Sequence, residues 1–156
     1  MLLKADINYV TILGQKLWHS TIKNVITHLP MRNIRVDAED PALEVFADPL
    51  LSKVFHNLID NALMYGGEKM TAIHVKSREE NGVLVISVED DGNGIGAEDK
   101  VQLFTKGFGK HTGLGLYLSR EILSITGITI TENGEPGSGA RFEMTVPKDA
   151  YRFVHT

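Results

Sequence analysis

Two asparagines one helical turn apart are the first residues in this sequence whose type and spacing could do chemistry. Asn57 and Asn61 lie in the segment HNLIDNA, and residues four positions apart share one face of a helix. An amide oxygen suits Mg²⁺, because this hard cation prefers oxygen ligands. Taken alone, however, the pair fits a solvated helix face better than a binding site.

A glycine-rich stretch further along the chain could bind phosphate. Asp90–Gly115 holds 7 of the chain's 15 glycines and follows an apolar, strand-like run. Glycines let backbone N–H groups approach an anion, and the N-terminus of a following helix adds a partial positive charge. The same residues also fit a simple Asp-Gly turn after a strand.

Three familiar glycine-rich sites do not fit this stretch. Lys110 is followed by His111 and not by Ser or Thr, so there is no P-loop. The glycines of Gly92–Gly96 are spaced GxGxG rather than GxGxxG, and no βαβ pattern surrounds them, which argues against a Rossmann site. An EF-hand interpretation of Glu89–Lys100 fails because the twelfth residue is Lys rather than Glu.

The composition is that of one soluble globular domain. The chain has 156 residues, with 16 Lys and Arg against 20 Asp and Glu, which gives a formal charge of −4. At this length folding buries about 68–70% of the unfolded surface, enough for a core without disulfides or metals. The lack of cysteine excludes disulfides, zinc ribbons and cysteine nucleophiles, and the mild acidity argues against a nucleic-acid binder. We expect a cytoplasmic domain, because no apolar run is long enough for a membrane span and no signal peptide is recognisable.

Three helices are expected to position these residues. Apolar spacing predicts a helix over residues 17–29, which Pro30 ends. A four-turn helix is expected to begin at Asp48-Pro49 and to end at Gly66-Gly67. A third helix is expected over residues 114–126, before Gly127.

The strands are expected to form one sheet. Together with the helices they predict an α/β two-layer sandwich, with a mixed and mostly antiparallel sheet of about five strands packed on three helices. The expected strands are Asn33–Val36, Leu43–Phe46, Ala72–Ser77, Val83–Glu89 after a turn at Glu79–Gly82, Ile128–Glu132, and Ala140–Val146 after a turn at Asn133–Gly139.

Four segments, taken in order, resemble the N, G1, F and G2 boxes of the GHKL superfamily in its sensor histidine kinase form. They are HNLIDNA at 56–62, DDGNGIG at 90–96, Phe104 with Phe108, and TGLGL at 112–116. The resemblance runs from Asp48 to Val146, which is most of the chain. It implies the Bergerat ATP-binding fold and the catalytic, ATP-binding domain of a two-component signal-transduction kinase.

The resemblance also implies roles for the first two boxes. Asn61 matches the Mg²⁺ ligand, and Asn57 stands where related ATPases place a glutamate base. An amide cannot take a proton from water, so this difference fits a kinase. Asp90 would accept a hydrogen bond from the exocyclic amine of adenine and so discriminate against guanine, while Gly92 and Gly94 would let the backbone pass close to the ring.

The other two boxes are implied to hold the phosphates. The lid between Phe104 and Gly113 is eight residues long, and its only basic groups, Lys106 and Lys110, are implied to contact the β- and γ-phosphates unless they are simply solvated. Backbone N–H groups after Gly113 would hold phosphate at the start of a helix. In full, the implied ATP site consists of Asn57, Asn61, Tyr65, Asp90, Gly92, Gly94, Ile95, Phe104, Lys106, Phe108, Lys110, Thr112, Gly113, Leu114, Gly115 and Leu116, whereas Asp91 is expected to be a solvated turn residue.

Two features depart from a complete sensor kinase. Met64 stands where most relatives carry a Lys or Arg directed at the phosphates. None of the six histidines is followed by Asp or Glu, as a phosphoacceptor normally would be. The resemblance therefore implies that ATP, with Mg²⁺, donates its γ-phosphoryl group to a histidine on a separate helical domain, upstream of a response regulator. We expect no nucleic-acid partner, no direct membrane contact and a monomeric isolated domain.

The domain limits and three alternatives complete these expectations. Residues 1–16 are expected to be a linker or a remnant of flanking sequence, residues 17–150 the domain, and residues 151–156 a tail. A degenerate module that serves as a docking surface is one alternative, and Met64 supports it. A GHKL serine kinase and a GHKL ATPase are the others, although both normally carry an acidic residue at the position of Asn57.

Overall fold

A mixed β-sheet forms one layer of the protein. The computed structural model describes residues 10–12, 22–24, 26–27, 33–38, 43–108 and 115–153. In chain order the strands are β1 (Val10–Ile12), β2 (Arg35–Ala38), β3 (Leu43–Ala47), β4 (Ala72–Glu80), β5 (Val83–Asp90), β6 (Thr129–Glu132), β7 (Arg141–Val146) and β8 (Tyr151–Phe153). Five of them form a sheet of order β2-β4-β5-β7-β6, in which only the β2–β4 pairing is parallel.

The helices form the second layer, on one face of this sheet. The main ones are α1 (Leu51–Tyr65) and α3 (Gly115–Ser124), which pack against each other, and residues 22–24 and 26–27 are also helical. Helix α2 (Ala97–Lys100) is a single turn that buries none of its residues. The apolar stripe of α1 is buried in one core with alternate residues of β5, such as Leu84 and Ile86. Each fully buried large side chain contributes about 1.5–3 kcal/mol, so this stripe holds α1 firmly against the sheet.

The opposite face of the sheet is polar. Cross-strand ion pairs cover it, among them Lys76 with Glu89 at 3.6 Å and Arg78 with Glu143 at 3.1 Å. Alternation between apolar and polar residues along β7 matches this division, because successive side chains of a strand point to opposite faces.

A second, three-stranded sheet has the order β1-β3-β8, and both of its pairings are antiparallel. The expectation of a single sheet was therefore wrong for Leu43–Phe46, because this segment pairs with β1 and β8 instead of joining the five-stranded sheet. The sequence patterns did not predict β1 or β8, since a three-residue strand is too short to show alternation. Strand β1 lies within residues 1–16 and β8 within residues 151–156, so both segments contribute strands that flank β3. The domain limits themselves remain a prediction.

The observed helix and strand limits differ from the predicted ones by a few residues. Helix α1 begins at Leu51 because Asp48 closes a turn before it, with Oδ1 accepting a hydrogen bond from the Leu50 N–H at 2.9 Å. It ends as predicted, at Gly66 and a left-handed Gly67 with φ of 82°. Strand β2 starts at Arg35 rather than at Asn33, since Asn33 adopts a turn conformation with φ of 65°.

The β4–β5 connection is tighter than the predicted four-residue turn. Asn81 and Gly82 have φ of 51° and 82°, the two positive values of a type I′ hairpin turn. The predicted helix over 114–126 is helical from Gly115 to Ser124, and Gly127, with φ of 79°, ends the turn that follows. Most of the predicted helix over 17–29 lies outside the described residues.

The predicted fold class is confirmed: a two-layer α/β arrangement with a mixed, mostly antiparallel five-stranded sheet. Within the described ranges, no helix combines the length and the apolar character needed to cross a bilayer.

Candidate nucleotide-binding site

A narrow cleft lies between the C-terminal half of α1 and the end of β5. Five residues of the predicted site line it together, namely Asn61, Tyr65, Asp90, Gly94 and Ile95. The structure therefore brings the N box and the G1 box into one site, although 29 positions separate Asn61 from Asp90 in the sequence.

Asp90 is the one carboxylate among the residues that line this cleft. Only 8% of the residue is exposed, and burial raises the pKa of its carboxyl, which the N–H groups of Gly92 and Ala140 partly oppose. Both N–H groups donate to Oδ1, at 2.8 and 3.3 Å. Oδ2 accepts no hydrogen bond from the described residues, so it is the oxygen available to a ligand.

Asn61 is the amide that faces the same cleft. It is half-buried on α1, and its side chain makes no hydrogen bond with the described part of the chain. Its carboxamide is therefore available to a ligand or a metal ion, and an amide oxygen is a suitable donor for Mg²⁺.

The glycines of the G1 box have a packing role in addition to the binding role predicted for them. A Cβ on Gly92 would lie 2.3 Å from the carbonyl oxygen of Gly66, so the loop can pass α1 only if Gly92 has no side chain. The Asn93 N–H then donates to that same Gly66 oxygen at 2.8 Å. Gly94 has φ of 74° and lies against the backbone of the β6–β7 turn, where a Cβ would meet Glu135 O at 2.9 Å.

A buried ion pair fixes the other side of this loop. The Lys100 Nζ lies 2.9 Å from Glu132 Oε1, and the Glu132 side chain is only 1% exposed. Oε2 of Glu132 accepts hydrogen bonds from the N–H groups of Gly134 and Arg141, at 2.9 and 3.0 Å. Glu132 thus ties α2 to the β6–β7 turn, whose Ala140 N–H reaches Asp90.

Asn57 occupies a different environment from Asn61. Its Nδ2 donates to Gly115 O and to Ser119 Oγ, both at 3.1 Å, and so joins α1 to the first turn of α3. Gly115 and Leu116 of the predicted G2 box are thereby placed at the start of α3, next to the N box. Asn57 does not line the Asp90 cleft itself.

The F-box residues lie behind the cleft. The ring of Phe104 packs edge-to-face on Phe142, with centroids 6.2 Å apart, and Phe142 lines the cleft. Phe108 is half-buried against the core. Lys106 is exposed, and its Nζ lies 5.4 Å from the centre of the Tyr117 ring on α3. Its contact with phosphate stays a prediction.

Asp91 is exposed, as expected, but it is more than a solvated turn residue. Its carboxylate accepts hydrogen bonds from Thr71 N, Thr71 Oγ1 and Ala72 N. Burial acts to raise the pKa of Asp91, and these hydrogen bonds outweigh it and lower the pKa to about 2. Because the folded-state pKa is depressed, the carboxylate stabilises the fold above its ordinary pKa, and this contribution is lost as the pH falls towards 2.

Four predicted site residues, Lys110, Thr112, Gly113 and Leu114, lie outside the described residues. Among the described ones, sequence reasoning missed the cleft residues Ala62, Gly66, Ala140 and Phe142, as well as Ser119 and the Lys100–Glu132 pair. Ala62 carried a signal, since it belongs to the N box, and so did Gly66, since it is one of two successive glycines after an apolar helix. The others had none, because their roles depend on contacts between residues distant in sequence.

The assembled geometry suits a ligand with a planar polar group at one end and an anion at the other. Oδ2 of Asp90 can accept a hydrogen bond from an amine, and Tyr65, Ile95 and Phe142 supply apolar walls. The start of α3, beside Asn57, presents backbone N–H groups and a helix N-terminus to negative charge.

Comparisons with known proteins agree with this geometry. Residues 47–150 match the family model described as "Histidine kinase-, DNA gyrase B-, and HSP90-like ATPase". The alginate biosynthesis sensor protein KinB of Pseudomonas aeruginosa is 36% identical over 105 residues, which cover 62% of this chain and 17% of that protein. The sensor protein BceS of Halalkalibacterium halodurans is 29% identical over 151 residues, covering 91% of this chain and 44% of its own length.

Solved structures give the same result. The catalytic domain of the histidine kinase ThkA, in a nucleotide-free form, superposes with a TM-score of 0.74 at 25% identity, covering 91% of this chain and 97% of that one. Full-length ShkA in complex with AMPPNP superposes with a TM-score of 0.79 at 18% identity, covering 97% of this chain and 33% of that one, a likeness of fold.

The chain spans less than half the length of the curated relatives KinB and BceS, and the family match covers about two thirds of the chain itself. The resemblance predicted from the four boxes is confirmed. The chain belongs to the histidine kinase-, DNA gyrase B- and HSP90-like ATPase family, and within that family it is a catalytic, ATP-binding domain of the sensor histidine kinase type.

Proposed function

We propose that this domain binds Mg²⁺-ATP in the cleft between α1 and the G1 loop and presents the γ-phosphoryl group to a histidine on a separate helical domain. The observation that carries the proposal is the state of Asp90, a buried carboxylate with Oδ1 held by two backbone N–H groups and Oδ2 left for a ligand. Such an acceptor matches the exocyclic amine of adenine and opposes the carbonyl of guanine.

The phosphate end of the site extends from Asn61 towards α3. We place Mg²⁺ at Asn61, since its amide is unbonded among the described residues and this cation favours oxygen ligands while keeping several waters. Mg²⁺ would neutralise charge on the phosphate oxygens. Gly115 and the N–H of Leu116 begin α3 and are suited to phosphate. We propose that Lys106 and Lys110 supply the positive charge near the phosphates that a Lys or Arg at the position of Met64 would otherwise provide.

The chemistry proposed for the protein is positioning and charge neutralisation. In phosphoryl transfer the attacking and leaving atoms must be in line, and little covalent work is left to the protein. Asn57 is an amide, not a carboxylate, so this chain offers no general base at that position for activating water. That feature favours transfer to a histidine over hydrolysis, and it separates this proposal from an ATPase.

Calorimetric titration of the wild type and of Asp90→Asn, with ATP and GTP and with and without Mg²⁺, tests the proposal. The Asn variant keeps an oxygen for the Gly92 and Ala140 N–H groups but presents an NH₂ group to the adenine amine. We expect Mg²⁺-dependent binding of ATP in preference to GTP, and a loss of about 10- to 100-fold in the variant, the range of a hydrogen bond to a charged group.

The thermal stability of the variant provides the control. Burial penalises the charged carboxylate of Asp90, so at pH 7 Asp90→Asn should have the same Tm as the wild type or a higher one. Failure of the wild type to bind ATP would favour the degenerate docking module, and equal binding of GTP would contradict the role of Asp90. A variant that unfolds would point to a structural role instead.

A separate assay tests the proposed transfer of the γ-phosphoryl group to a histidine. The domain is mixed with a helical domain that carries a phosphoacceptor histidine, and acid-labile phosphate is followed with labelled ATP. Label is expected on the added domain and not on this chain. Stable labelling of a serine on the partner would instead support the serine kinase alternative.

A further inference from the structure

A buried hydroxyl interrupts the apolar face of α3. The buried residues of this helix are Leu116, Ser119, Ile122 and Leu123, and Ser119 is the only polar one. Ser119 is 0% exposed, so its hydroxyl must find partners inside the protein to avoid a desolvation penalty.

The hydroxyl of Ser119 finds these partners at the junction of α1 and α3. Ser119 Oγ donates to the Gly115 carbonyl oxygen at 2.8 Å and accepts from Asn57 Nδ2 at 3.1 Å. Asn57 Nδ2 also donates to Gly115 O, at 3.1 Å. Three polar groups therefore close a small triangle between the N box and the start of α3.

This triangle leaves the Asn57 amide only one orientation. A backbone carbonyl oxygen can accept hydrogen bonds but cannot donate them, so the nitrogen of the amide must face Gly115 O. Nδ2 donates to both of its acceptors, Gly115 O and Ser119 Oγ. Oδ1 is then the atom of Asn57 left to contact a bound ligand.

We infer that Ser119 is a positioning residue, which holds the Asn57 amide with its nitrogen on α3 and its oxygen towards the phosphate end of the nucleotide. The inference rests on the proposed function, since it assumes that Mg²⁺-ATP occupies the site. Without the Ser119 acceptor, Asn57 Nδ2 keeps only its bond to Gly115 O, so the amide is held less firmly in this orientation. Asn57 then spends less time in the orientation that suits the ligand.

The test compares Ser119→Ala with Ser124→Ala. Ser124 lies on the same helix and is exposed, and its Oγ makes a similar bond to the Glu121 carbonyl oxygen. The affinity of each variant for Mg²⁺-ATP and for adenosine is measured by calorimetry. We expect Ser119→Ala to weaken Mg²⁺-ATP binding about 3- to 10-fold, as for one neutral hydrogen bond, and to leave adenosine binding unchanged. Ser124→Ala should match the wild type for both ligands.

A double-mutant cycle separates positioning from general loosening. In an Asn57→Ala background, Ser119→Ala should cause no further loss of Mg²⁺-ATP affinity, since there is no amide left to orient. Ser119→Cys is nearly isosteric and has only weak hydrogen-bonding capacity, so it should reproduce the loss without leaving a cavity. This second variant keeps the test valid if Ser119→Ala folds poorly.

The outcomes distinguish this inference from the proposed function. Wild-type affinity in both Ser119 variants overturns the inference, as does an equal loss for adenosine or an additive loss in the Asn57→Ala background. Failure of the wild type to bind Mg²⁺-ATP overturns the proposed function, and the inference with it.

Discussion

At the scale of single residues, Asp90 shows that binding and stability make opposite demands. A carboxylate at the end of a central strand loses most of its hydration, and burial raises its pKa accordingly. Hydrogen bonds from Gly92 and Ala140 offset only part of this penalty, because both go to one oxygen. A ligand amine that donated a hydrogen bond to Oδ2 would give both carboxylate oxygens a partner. Asp90 therefore makes physical sense as a binding residue rather than a structural one.

Gly92 leads to a prediction that separates packing from ligand approach. A Cβ at this position would meet three backbone atoms of Gly66 at 2.3–2.8 Å, and backbone atoms cannot move aside cheaply. We therefore expect Gly92→Ala to destabilise the domain by about 2 kcal/mol, as overpacking does, and to lower its Tm by about 4–8 °C. Thermal unfolding followed by circular dichroism, without any nucleotide, measures this.

Gly96 provides the matched control for Gly92. It belongs to the same loop, but a Cβ there would find no atom within 4 Å. Gly96→Ala should change the free energy of unfolding by less than about 0.5 kcal/mol. Equal Tm values for the two variants would mean that the loop can move away from α1, and that Gly92 is needed only for the ligand.

At the scale of elements, the Lys100–Glu132 pair joins α2 to the β6–β7 turn. The side chain of Glu132 is almost wholly buried, and its Oε2 is held by two backbone N–H groups. Lys100→Met would leave this carboxylate buried without a counter-charge, which costs about 3 kcal/mol. Urea unfolding of the variant and the wild type measures the difference.

The exposed ion pair between Lys76 and Glu89 is the control that measures how much burial increases the cost of losing the lysine. Lys76 Nζ lies 3.6 Å from Glu89 Oε1, with side chains 53% and 33% exposed. Lys76→Met should cost at most about 1 kcal/mol, because solvent screens such pairs. If both variants lost the same free energy, Glu132 would not be the anchor that the geometry indicates.

The helices and strands of this fold differ in how well sequence patterns predict them. Helix α1 and strands β4 and β5 were predictable, because their apolar periodicity extends over many residues and glycines end them. Strands β1 and β8 were not, since three residues carry no periodicity and each strand depends on β3 for its partner. Pairing of distant short segments is a property of the folded chain.

At the scale of the whole molecule, the site was predictable where it depends on local motifs. Asn61 and Asp90 could be paired in advance because the N and G1 boxes are each recognisable and occur in a fixed order. The triangle of Asn57, Gly115 and Ser119 could not, because a serine in an apolar helix gives no sign of its partner 62 positions away.

The last prediction concerns how the two ends of the described chain meet on β3, away from the residues that line the cleft. Strand β8 pairs with β3, and Tyr151 donates a hydrogen bond to Glu79, which raises the pKa of Tyr151 to about 12. Truncation after Ala150 removes this strand and the Arg152–Glu44 pair, and should lower the Tm by about 3–8 °C, as for a loss of about 1–2 kcal/mol. Affinity for ATP should not change, because no cleft residue belongs to β3 or β8.

The control for the truncation is Phe153→Ala, at a position 44% exposed. This variant keeps the strand and should stay near the wild-type Tm. Loss of ATP binding on truncation, with the fold retained, would show instead that the small sheet supports the nucleotide site.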